Sequence, residues 1–111
     1  MRPDYKFKEG QYITEVWDYI DATYKQHYAT GQIQATEIIF DEGLGTGFNV
    51  GNILKYSKRY GKKGDCDQWR ADMMKVIHYG ILQLYIHDKE EMEENNKISD
   101  NVGRIPITDF Q

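Results

Sequence analysis

From Ile13 onward, apolar residues return every three or four positions: Ile13, Val16, Trp17, Ile20, Tyr24. That is the period of a helix with one inward face. It predicts a first helix over about residues 14–28, capped by Thr14 and stopped by Gly31. The stretch "QATEIIFDEG" gives a short second helix with Ala35, Ile38 and Ile39 on one side, although Ile38-Ile39-Phe40 fits a short strand equally. Glycines 43, 45, 47 and 51 read as a loop. A third helix should cover about 48–60, with Val50, Ile53, Leu54 and Ser57 as its inner stripe. Gly61 and Gly64 break it, and Asp65 or Asp67 caps a last, longest helix reaching about residue 88.

The fold class is therefore all-α, a compact bundle of three to four helices. Residues 1–10 read as a polar leader, 11–88 as the helical domain, and 89–111 as an acidic and polar tail or arm. The last helix carries Trp69, Met73, Val76, Ile77, Gly80 and Leu84 on one face, widened by Met74, Ile81 and Tyr85. A helix apolar over most of its circumference wants cover on more than one side. Gly80 would allow a close crossing, so a homo-oligomer through this helix is expected.

Composition narrows the class. A chain of 111 residues suits one domain. Its nine tyrosines suit a wet interface or a ligand pocket as well as a core. The single cysteine, Cys66, excludes an intrachain disulfide framework, and its neighbours Asp65 and Asp67 give a thiolate no support. No apolar run approaches the roughly 20 residues of a membrane span, and "MRPDYKFKEG" lacks the apolar stretch of a signal peptide. These features predict a soluble, cytoplasmic protein with no membrane partner.

The net charge of −4 is unevenly spread. Residues 43–64 hold Lys55, Lys58, Arg59, Lys62 and Lys63 and no acid, whereas "DKEEMEE" holds five acids against one lysine. An acidic chain with one basic block suits a local anion site better than a nucleic-acid surface. The glycines fail both common phosphate-loop tests. Five positions on from Gly43, Gly45 or Gly47 stand Phe48, Val50 and Asn52, where a P-loop requires glycine. The dinucleotide fingerprint would need glycine at Phe48 or Val50. What remains is a glycine loop feeding a helix N-terminus, an ordinary turn composition that also suits an anion.

The helix after the loop carries more. At 100° per residue, Asn52, Lys55, Arg59 and Lys62 share a stripe opposite the expected core stripe. Crowded cations without acids repel one another unless something negative sits among them. Tyr56 and Tyr60 are interleaved and Lys63 follows, so phosphate and a stacked base could be held together. Lys75, His78-Tyr79 and His27-Tyr28 are further candidate contacts. Asp72, one turn from Lys75, reads as its salt-bridge partner, with a magnesium ligand or a ribose contact as the other readings. The three histidines lack zinc-site spacing, so no structural metal is expected.

The pattern His27-Tyr28, Gly51-Asn52, Lys55-Tyr56, Arg59, Lys62 or Lys63, Asp72, Lys75, Tyr79 resembles a small phage family catalogued as domain of unknown function 3310. The resemblance covers about residues 27–85, with Met73 and Val76 as mild departures. The family is associated with phages, and a larger podophage relative is described as a nucleotide kinase without a P-loop. The resemblance thus implies a phage-encoded protein that acts near nucleotides in an infected bacterial cell. Together these readings predict a module that binds a phosphorylated nucleotide without catalysis or cofactor, as in sequestering a host immune signal. The alternatives are a nucleoside-monophosphate kinase, in which magnesium would enter through Asp72, and a protein-binding host inhibitor.

Overall fold

In a computed structural model, residues 1–100 are described, with side chains through residue 97. Four helices follow in order: α1 Glu9–Thr30, α2 Gln32–Asp41, α3 Gly45–Arg59 and α4 Cys66–Asp100. There is no strand among the described residues, so the Ile38-Ile39-Phe40 ambiguity resolves to helix. Gly31 ends α1 and opens α2 with φ 78°, a left-handed conformation that glycine adopts without steric cost.

Several boundaries differ from expectation. Helix α1 starts at Glu9, inside the expected leader. Thr14 is no cap; its hydroxyl donates to Gly10 O within the helix. The glycine loop is mostly helix. Only Gly43 turns, at φ 78°, and Gly45, Gly47 and Gly51 belong to α3. Helix α4 begins where expected, with Asp65 Oδ1 accepting from Gln68 N at 3.1 Å. It then runs on to Asp100 through the acidic segment expected to be tail. The closing "RIPITDF" lies outside the described residues.

The centre of the fold is the antiparallel pair α3–α4, and its seam inverts the expected phase of α3. Val50 and Leu54, assigned to the core by pattern, are 41% and 55% exposed. Gly45 and Asn49 are buried instead. Gly45 makes the contact possible: a Cβ there would stand 2.8 Å from Ile86 Cδ1. Asn49 fills the next layer and donates to Gln83 Oε1 at 3.1 Å. Gln83 in turn donates to Thr46. A close crossing thus takes a glycine and the Asn49–Gln83 hydrogen bond in place of large apolar knobs, and leaves Asn49 Oδ1 buried without a hydrogen-bond partner among the described residues.

Helices α1 and α2 form an arm over one side of α4. Val16 and Thr23 are the buried residues of α1. Ile13 and Trp17, expected inside, are 58% and 68% exposed. Arg70 fastens α1 by an ion pair to Glu15 and lies over the Tyr12 ring. Phe40 of α2 meets Phe48 and Tyr85. Val16 and Ile86 are the buried apolar side chains of the described residues, a very small core.

Candidate functional site

Two concavities meet at Lys75. The larger is a cleft of about 900 Å³ between the α1–α2 arm and α4. Its walls are aromatic: Tyr19 from α1, Tyr56 from α3, and His78 and Tyr79 from α4, with Lys75 at one end. The smaller is a depression of about 450 Å³ lined by Arg59, Lys63, Gly64, Gln68 and Lys75. One hollow is therefore rich in ring faces and the other in donors and positive charge.

The rings are held by one another. Tyr56 stacks on Tyr79 with centroids 6.1 Å apart and planes 8° from parallel. Phe48 packs its edge on Tyr79, and Tyr19 packs edge-to-face with His78. Three cations surround the Tyr56 ring, with Arg59 Cζ and Lys75 Nζ each 4.8 Å and Lys55 Nζ 5.1 Å from its centroid. The ring quadrupole attracts each of them. Lys55, Lys62, Lys63 and Lys75 have no carboxylate within ion-pair distance among the described residues.

Arg59 is different, and here the expected free cationic stripe needs correcting. Its Nε donates to Asp72 Oδ2 at 3.1 Å and its Nη2 to Asp72 Oδ1 at 2.5 Å. Asp72 is fully enclosed, and its Oδ1 also accepts from Gln68 Nε2 at 3.2 Å. Its ion-pair partner is thus Arg59, not Lys75, and its oxygens are committed, which leaves it poorly placed to meet magnesium or ribose. The Arg59 hydrogen bonds hold the Asp72 carboxyl below its usual value against the opposing effect of burial, and Gln68 adds to this.

Of the other anticipated residues, His27, Tyr28, Tyr56, Lys75, His78 and Tyr79 line the cleft. Arg59 and Lys63 line the depression, with Lys75 shared. Asn52 donates to Phe48 O in its own helix. Lys55, Tyr60 and Lys62 are exposed outside both hollows. Burial raises the Tyr19 and Tyr79 phenols. Burial first, and His27 second, lower the His78 imidazole, which favours its neutral form.

Tyr19 and Gln68 escaped the sequence reading. Tyr19, Thr23 and His27 recur every four residues on α1, and that polar-aromatic stripe faces the cleft. The more hydrophobic Ile13–Trp17 stripe masked it.

The family model described as "Protein of unknown function (DUF3310)" matches residues 22–80, from the second half of α1 to the middle of α4. No curated protein and no solved structure matches the chain.

Proposed function

The chain belongs to the DUF3310 family, and for it we propose a phosphorylated-nucleotide-binding function without turnover. The observation that carries this reading is the place of Lys75, which lines both the aromatic cleft and the cationic depression. A nucleotide has the same two-part chemistry. Its base suits the ring-lined cleft by stacking. Its phosphate suits Lys63, Lys75 and the outer edge of Arg59, where donors are charged and accessible. Lys55 and Lys62 add long-range attraction from outside the hollows.

Retention fits the site better than phosphoryl transfer. The carboxylate nearest the cations, Asp72, is engaged by Arg59 and Gln68. His78, shifted toward the neutral form, suits a hydrogen bond to a base edge. In the phage setting that the family resemblance implies, the benefit of tight retention is removal of a host nucleotide signal inside the infected cell.

The test is a thermal-shift series with mono-, di- and cyclic nucleotides. A ligand at 100 times its dissociation constant adds about 2.7 kcal/mol of stability. Lys75→Ala should abolish the shift, and the nucleotide should be recovered unaltered after the protein is denatured. Magnesium-dependent conversion would replace this reading with the kinase. No shift with any nucleotide would favour a protein partner.

A further inference from the structure

Granted the nucleotide-binding reading above, on which this step rests, we propose that the guest is a dinucleotide with a 5′ phosphate, its first base beside Tyr79 and its second beside Tyr85. On α4 the lining residues Ala71, Lys75, His78, Leu82 and Tyr85 recur at helical spacing, so one stripe of the helix forms a wall of the cleft. At about 1.5 Å per residue, Tyr79 stands about 6 Å and Tyr85 about 15 Å along the axis from Lys75. The cleft, at about 900 Å³, is near the upper end of small-molecule sites.

Two ring pairs stand along that wall, and all four rings line the cleft. Tyr79 is stacked on Tyr56, close to the Lys75 ammonium. Tyr85 is stacked on Phe40 of α2, with centroids 6.3 Å apart and planes 26° from parallel. Tyr85 is 57% exposed, so it still has surface to offer a base.

One nucleotide reaches only the first pair. About six bonds separate its phosphorus from its base, and at the roughly 1.2 Å per bond of an extended chain they span about 7 Å. That suits Tyr79 and falls well short of Tyr85. Continuing through the next sugar adds about six bonds and about 7 Å more, which brings a second base level with Tyr85.

Charge sets the direction. Lys75 is the one lysine or arginine that lines the cleft, at the end it shares with the depression. One turn of α2 before Phe40, beside the second ring pair, the lining residue is Glu37. A carboxylate repels a terminal phosphate and accepts a hydrogen bond from a base amino group. The terminal phosphate therefore belongs at Lys75 and the second base at the far end. His27, whose charge bears on His78 from α1, also lines the cleft. A neutral imidazole donates one N–H, which is what a linking phosphate can accept.

The test compares 5′-phosphorylated ApA, CpC, GpG and UpU with their mononucleotides by titration calorimetry on the full chain. At least one dinucleotide should bind at least about tenfold more tightly than its mononucleotide, the size of a stacking contribution. Tyr85→Ala should remove that gain selectively, and Tyr85→Phe should keep it. Mononucleotide binding by Tyr85→Ala reports that the variant is folded. Equal affinities for the two lengths, or a Tyr85→Ala loss shared by both, would overturn the dinucleotide and leave nucleotide binding standing. Binding of neither length would overturn both.

Discussion

Arg59, the last residue of α3, grips both carboxylate oxygens of Asp72 in the second turn of α4. The carboxylate is wholly enclosed, while the guanidinium keeps 23% of its side-chain surface open to the depression. This geometry closes the end of the α3–α4 pair and presents one edge of a cation to any anion that enters.

Removing the two partners should have unequal effects. Arg59→Ala leaves an enclosed carboxylate with only Gln68, whereas Asp72→Asn leaves a guanidinium that can reach water. Arg59→Ala should therefore lower the melting temperature more. The parent ion pair contributes stability above the unfolded carboxylate value near 3.9 and loses it as pH falls through the lower folded value. In Arg59→Ala the main cause of the lowered carboxyl is gone while burial still raises it, so the acid-induced loss from this group should shrink and the melting curve flatten at low pH. Melting curves from pH 7 to 2.5 decide this; equal curves for Arg59→Ala and parent would remove the pair from the account.

Two glycine substitutions should move stability in opposite directions. Gly45→Ala puts a Cβ 2.8 Å from Ile86 Cδ1 and 3.2 Å from Phe40 Cδ1, so the Ile86 side chain or the helices must shift. A loss of about 1–3 kcal/mol is expected from such overpacking. Gly51→Ala, inside a helix, meets nothing within 4 Å among the described residues, and should gain about 0.5–1 kcal/mol. Denaturant midpoints compare the two.

His78 should make the fold acid-sensitive well above the range of Asp72. Its folded value lies below 6.5, lowered by burial and by His27, so the unfolded chain binds the proton first as pH falls. Stability from the neutral imidazole is complete above about pH 6.5 and declines toward the folded value. His78→Phe should flatten the melting temperature between pH 7.5 and 5. An unchanged slope would place the imidazole in a wetter setting.

The ring and the cation at the junction should separate in ligand binding. Tyr56→Phe keeps the stacking face and should retain the nucleotide-induced shift, whereas Tyr56→Ala should lose most of it, since base stacking is worth about 1–3 kcal/mol. Lys55→Ala, outside both hollows, should weaken binding mainly at low salt. Titration calorimetry at two ionic strengths tests both statements; a Lys55→Ala effect equal to that of Lys75→Ala would move the site.

The helices were legible because their periods are strong and their stops are glycines, as at Gly31 and Gly61. The facing of α3 was not. Pattern reading sends Val50 and Leu54 inward, but a seam built on Gly45 and the Asn49–Gln83 pair admits small and amide side chains, which carry no hydrophobic signal. The cations of the candidate site, Lys75 among them, are visible in the sequence as residues. The commitment of Arg59 was not, because Asp72 lies 13 positions away and meets it only after the chain reverses through Gly61 and Gly64. The end of α4 was missed because acids were read as tail, although Glu and Lys are good helix formers.

The arm of α1 and α2 is fastened to α4 at few points: Glu15 and Tyr12 on Arg70, Tyr19 on His78, Phe40 on Tyr85. The α3–α4 pair, by contrast, is joined by an ion pair at one end, amides in the middle and a glycine contact beyond them. Amide protons of α1 should therefore exchange with solvent sooner than those at the α3–α4 seam. The cleft therefore has one stiff wall and one compliant one, and its width should follow the arm while the Arg59–Asp72 clamp beneath stays shut.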